Sequence, residues 1–191
     1  MTVSPDQVVY MDNNATTRIA PEVMDAMMPY LTELYGNPSS MHTFGGQVGQ
    51  AVSQARQEVA DLLGASPDEI VFTSCGTESD STAILSAIQT YPEKNHVVTT
   101  RVEHPAVKNL CDNLEIFTGR KYHSTRLHVE ADGTLDLQRF KDSLTDETAI
   151  VSVMWANNET GVIFPVEEMA QIAKERGILF QIGRASCRER V

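Results

Sequence analysis

Residues 148–182 read TAIVSVMWANNETGVIFPVEEMAQIAKERGILFQI, and their pattern decides the fold class. Residues 148–154 are a short run rich in Val and Ile, the signature of a buried strand. A turn-prone Asn157-Asn158-Glu159-Thr160-Gly161 stretch follows. Val166, Met169, Ala170 and Ala173 then recur at helical spacing, and Lys174 and Arg176 lie where cations complement the negative end of a helix. Gly177 is placed to terminate that helix, and residues 178–182 form a second apolar strand.

The same alternation extends outward. Residues 70–73 and 96–100 read as further buried strands. Val48, Ala51, Val52, Ala55, Val59, Leu62 and Leu63 mark a helix that Gly64 would stop, and Pro105 suits a first helical position after His104. Strands alternating with helices predict an α/β fold, a mainly parallel sheet with helices on both faces. Such sheets bind ligands at the carboxyl ends of their strands. Residues 1–46 are less regular and read as an N-terminal arm with one helix over 21–34. Residues 47–181 read as the sheet-bearing large domain, and residues 182–191 as a tail.

Composition bounds the function. The net charge of −11 argues against a nucleic-acid partner, which needs clustered Lys and Arg. No apolar run approaches the roughly 18 residues of a membrane span, and residues 1–9 lack a signal-peptide pattern. Cys75, Cys111 and Cys187 are widely spaced and fit neither a disulfide framework nor a zinc ribbon. His96, His123 and His128 show no ligand spacing, so no metal is expected. These features predict a cytoplasmic protein.

Chemistry concentrates in residues 70–84, IVFTSCGTESDSTAI. A strand running through a Gly-containing turn into a helix presents free N–H groups and a positive dipole end to an anion. Gly76 would admit close backbone approach and Thr77 would add a hydroxyl. No Gly-Lys-Ser/Thr follows, so this is not a Walker loop, nor is it a Gly-x-Gly-x-x-Gly turn. Cys75 adjoins the helix start and reads as structural, and Cys111 reads as core.

Further motifs appear in order: Asp12-Asn13-Asn14-Ala15-Thr16-Thr17, Gly36-Asn37-Pro38-Ser39-Ser40 with His42, Glu103-His104-Pro105-Ala106-Val107, and the Asn157-Asn158 turn. Together with the Ser-Cys-Gly-Thr-Glu-Ser turn they closely resemble the class V group of fold-type I pyridoxal-phosphate enzymes. Within it they resemble the NifS-type cysteine desulfurases. The resemblance implies that Gly76 and Thr77 hold the phosphate of pyridoxal 5′-phosphate. It implies that His104 stacks on the pyridine ring and carries protons, tasks suited to a planar group that changes charge near neutral pH. It implies that Asn158 bonds the cofactor's phenolic oxygen. Asn14, Asn37 and His42 match segments near the active-site entrance.

The implied reaction removes sulfur from L-cysteine, leaving L-alanine and an enzyme persulfide that supplies an iron–sulfur scaffold protein, here in nitrogenase assembly. A homodimer is implied as well. The pattern breaks at residues 182–191, IGRASCRERV, where three arginines crowd one glutamate and which a sequencing-library adapter would encode. Gly183 and Ser186 stand where the family places an aspartate and a glutamine. The Schiff-base lysine and the sulfur-accepting cysteine lie further on in the family. The expectation is therefore an N-terminal fragment, truncated within its large domain, with a non-native tail and no activity of its own. Two other readings stand beside it: another class V enzyme, such as an aminotransferase or selenocysteine lyase, and a non-catalytic protein that keeps a half-site.

Overall fold

A computed structural model of the chain describes residues 8–13 and 15–183. It separates into two compact units, Met1–Phe72 and Thr73–Val191. This division falls later than the 46/47 boundary read from the sequence.

The first unit carries helix α1, Pro21–Thr32, which starts on a proline and buries none of its residues. Helix α2, Thr43–Leu63, ends where Gly64 adopts a left-handed φ of 66°, as the glycine predicted. His42 caps its start, with Nδ1 accepting from the Gly45 N–H at 3.0 Å. Gly45 admits the Gly36–Ser40 turn, because a Cβ there would meet the Asn37 carbonyl at 2.6 Å. Asn37 shapes that turn by accepting from the Ser39 N–H. The helix expected to open the sheet domain thus packs with the segments beside it in the first unit.

Residues 70–73 are not a strand. Val71 and Phe72 are exposed, and α2 holds the segment instead: Arg56 donates to the Ile70 carbonyl and lies over the Phe72 ring. The β propensity of Ile, Val and Phe becomes a strand only against a neighbouring strand, and none pairs here among the described residues.

The second unit begins with α3, Gly76–Thr90, and continues through β1 (His96–Thr100), α4 (Pro105–Asp112), α5 (Leu114–Thr118) and β2 (His123–Leu127). Then come α6 (Leu137–Ser143), β3 (Thr148–Ser152), α7 (Val166–Glu175) and β4 (Leu179–Gln181). The strands form one sheet in the order β2-β1-β3-β4, and each neighbouring pair is parallel. Val97 and Val98 point to opposite faces, so each face buries its own apolar cluster. Ile84, Ala87 and Ile88 of α3 and Val107 and Leu110 of α4 pack with Val97 and Ile150 on one face. Phe140 of α6 and Val166, Met169 and Ala173 of α7 pack with Val98 and Val151 on the other. The α/β architecture with both faces covered is the one read from the sequence.

Order and connection locate the site. From β1 the chain crosses one way to β2, and from β2 it returns past β1 to β3 and β4. The direction therefore reverses between β1 and β3. In parallel sheets the loops leaving the carboxyl ends of two such strands splay apart and open a crevice. No helix among the described residues is long and apolar enough to cross a membrane.

Candidate functional site

Helix α3 opens at Gly76 with Cys75 as its N-cap in an extended conformation. The first-turn N–H groups thus favour whatever anion reaches them. Their influence shows on Cys75 itself, whose exposed thiol is held below its ordinary value by the backbone N–H of Glu78 and then by the Ser74 hydroxyl. Glu78 turns back to accept from the Ser74 N–H at 2.7 Å and from the Ser74 hydroxyl, which holds its carboxyl below the usual range. Cys75 is therefore an exposed residue of the anion turn and not a buried filler.

His104 enters from the loop after β1. It is the N-cap of α4, and its Nδ1 accepts from the Ala106 N–H at 3.1 Å. That bond uses Nδ1 as the acceptor, so Nε2 carries the proton of the neutral ring. Thr77 and His104 line one cleft of about 420 Å³ between α3 and α4, together with Ser81, Ala106, Asn109 and Phe117. Ser81 and Asn109 were not singled out in the sequence. Each follows a site-side residue by four positions, Thr77 and Pro105 respectively, and helical spacing brings such pairs to one face.

Asn158 does not line this cleft. It lies in the loop after β3, exposed, with Nδ2 donating to Glu159 at 3.0 Å. Its neighbour Asn157 is the buried member of the pair. The Asn157 Oδ1 accepts from the Glu159 N–H at 3.0 Å, the Thr160 N–H at 2.9 Å and the Thr160 hydroxyl at 3.1 Å, closing a turn that ends at Gly161 with φ 75°. Asn14 lies outside the described residues, as do residues 184–191 of the tail. Cys111 is buried, and burial pushes its thiol up to about 11, as suits a core residue.

Behind the site, Thr99, Ser152 and Gln181 stand in register across β1, β3 and β4. Gln181 donates to the buried carboxylate of Asp80 on α3 at 3.0 Å. One further buried carboxylate, Glu103, sits directly before His104. It accepts from the Thr100 hydroxyl at 3.0 Å and from the Met154 N–H at 2.8 Å, and burial pushes its carboxyl up to about 7, with Asp80 adding in the same direction.

The class V aminotransferase family model matches residues 9–187. The chain belongs to this family. It is 58% identical to a cysteine desulfurase of Trichormus azollae over 175 residues, 92% of the chain and 43% of that relative. It is also 58% identical to the cysteine desulfurase NifS of Azotobacter vinelandii over 173 residues, 90% of the chain and 42% of that relative. Among solved structures, a NifS-like protein superposes with a TM-score of 0.83 at 36% identity, covering 90% of this chain and 47% of its own. A second, SspA in complex with cysteine, superposes with a TM-score of 0.82 at 34% identity, covering 90% and 49%. The family chain thus spans less than half the length of these curated relatives. Its sheet and helices are those of the fold-type I enzymes, which use pyridoxal phosphate.

The residues present fit that cofactor at its phosphate end and ring face. A helix start that already favours a thiolate suits a phosphate dianion. An imidazole fixed by its own cap bond and sharing a cleft with Thr77 suits a planar ring. Position 183, where the family's ring-nitrogen aspartate would fall, is a glycine with φ 62°.

Proposed function

We propose that this chain carries the phosphate-and-ring part of the pyridoxal-phosphate site of a cysteine desulfurase. Gly76 and Thr77 hold the phosphate, through the first-turn N–H groups of α3 and the Thr77 hydroxyl. His104 packs on the ring and holds or moves a proton at Nε2. Asn158 reaches the phenolic oxygen from the loop after β3. When bound, pyridoxal phosphate supplies an electron sink for bonds at the α-carbon of an amino acid. In this reading residues 47–181 form an incomplete cofactor-binding large domain.

The reaction proposed for the whole protein takes sulfur from L-cysteine, giving L-alanine and an enzyme persulfide. An iron–sulfur scaffold protein serving nitrogenase receives the sulfur, and the protein works as a cytoplasmic homodimer. The observation that supports this reading is the meeting of Thr77 and His104 on one cleft, in a chain 58% identical to cysteine desulfurases. Gly183 favours a second reading for the chain by itself, a half-site without turnover, since no carboxylate stands at that position to hold the ring nitrogen protonated.

The test has two arms. Phosphorus NMR of pyridoxal phosphate titrated with the chain should show a bound resonance that Thr77→Val weakens. Alanine release from L-cysteine should be absent with the chain alone and present with the protein read from the source locus through Gln181. A locus product that binds the cofactor yet releases no alanine from cysteine would move the assignment to another class V activity.

A further inference from the structure

The loops that carry His104 and Asn158 leave two different strands, β1 and β3, at the point where the chain direction reverses. Loops splay apart at such a point, so something must set the distance between them. Two buried side chains cross the gap. Glu103, in the β1 loop, accepts from the Met154 N–H in the β3 loop at 2.8 Å, while the Thr100 hydroxyl bonds the same carboxylate oxygen from the end of β1 at 3.0 Å. Asn157, in the β3 loop, donates from Nδ2 to the Val102 carbonyl in the β1 loop at 3.2 Å, while its Oδ1 closes the local turn through three bonds. Each residue is buried, at 7% exposure. Each immediately precedes a candidate cofactor residue, His104 or Asn158.

We propose that Glu103 and Asn157 form a reciprocal staple between the two loops and are positioning residues for His104 and Asn158. Each loop contributes one side chain, with both donors, the Met154 N–H and Asn157 Nδ2, in the β3 loop and both acceptors in the β1 loop, so neither loop can shift along the sheet edge without breaking a buried bond. An acid is not needed to receive these two bonds, since a carboxamide oxygen accepts them equally. What matters at 103 is an acceptor on a side chain of that length, and at 157 a donor opposite Val102. The inference rests on the cofactor reading only for what the staple positions; the staple itself is testable without any ligand.

The experiment uses the 191-residue chain and three variants: Glu103→Ala, Glu103→Gln and Asn157→Asp. Amide hydrogen exchange is read at Met154, and ring NMR shifts are read at His104. Glu103→Ala should speed Met154 exchange by about tenfold, the change that loss of one ordinary buried hydrogen bond produces, and should move the His104 ring resonances. Glu103→Gln should restore both. Asn157→Asp keeps the acceptor that closes the turn but cannot donate to Val102, so it should shift the His104 ring while Thr160 stays protected. Should Glu103→Ala fail to fold, the Gln and Asp variants still decide the matter. Unmoved His104 resonances in a folded Glu103→Ala or Asn157→Asp chain would overturn the staple, as would a Gln variant that behaves like Ala. Pyridoxal-phosphate titration of the same set should show about tenfold weaker binding for Ala and Asp but not for Gln. If the parent chain binds no pyridoxal phosphate, the cofactor reading fails, whereas the exchange and ring shifts still decide the staple.

Discussion

At the amino ends of the strands, His96 is enclosed between two threonine hydroxyls; at their carboxyl ends, Glu103 is enclosed while remaining an acid. The His96 ring bonds the Thr148 hydroxyl at 2.8 Å and the Thr125 hydroxyl at 2.9 Å, joining β1 to β3 and β2, and it stacks on His123 at 4.4 Å. Burial, with His123 adding to it, lowers His96 to about 4, so the ring is neutral and works as a strut. Glu103 ties β1 to β3 by similar means but sits at about 7, where a small change in surroundings alters its charge. One sheet thus uses an uncharged clasp where only stability is at stake. It places a titratable one beside its candidate site. Perturbed acids often stand near sites of chemistry, and Glu103 directly precedes the candidate His104.

The largest expected effect breaks the amino end. His96→Ala removes a fully buried ring and its bonds to the Thr148 and Thr125 hydroxyls, so urea unfolding should show a loss of about 3 kcal/mol. Any variant that stays folded should bind pyridoxal phosphate as the parent does. At the other end the balance reverses. His104→Ala removes a helix cap and should cost about 1 kcal/mol in the same assay, while weakening cofactor binding by about tenfold or more. Smaller still in stability is Thr77→Val, an exposed first-turn change expected to stay within about 0.5 kcal/mol while reducing binding in the phosphorus titration. A Thr77→Val chain that binds normally would remove Thr77 from the phosphate site.

The smallest response is that of the unaltered chain to pH, because the two ends oppose each other. His96 has its folded value lowered from 6.5 to about 4, so its contribution is complete above 6.5 and is lost as pH falls toward 4. Glu103 has its folded value raised from 4.5 to about 7, so its contribution is greatest below 4.5 and is lost as pH rises through 7. Between pH 4.5 and 6.5 the two slopes have opposite signs. Urea midpoints across that window should change little in the parent. In Glu103→Gln they should fall as pH falls, since only the His96 slope remains. A Gln variant with the parent's profile would show that Glu103 does not titrate in this range.

Much of the fold was legible because its signals are local. Gly64 and Gly177 end their helices with positive φ, and Pro105 begins α4, all from backbone preferences that need no partner. Residues 96–100 and 148–154 were readable as strands because β1 and β3 are buried on both faces. Residues 178–182 were readable because the run is apolar, although β4 lies at the sheet edge and is partly exposed. The strand β2 escaped notice, since His-Ser-Thr-Arg-Leu sits at the sheet edge and is half-exposed, with a polar pattern. Residues 70–73 misled for the opposite reason, having strand propensity without a strand beside them.

The candidate site divides along the same line. Sequence alone identified the family motifs and offered Gly76, Thr77 and His104 as candidates, since motif residues and helix starts are local properties of the chain. Tertiary structure alone decided that Thr77 and His104 share a cleft, that Asn157 and not Asn158 is the buried asparagine, and that Glu103 reaches the loop after a strand some fifty residues away. Those facts depend on the order in which strands pair, and pairing order is set by how two apolar faces are covered at once, which no single stretch of sequence encodes.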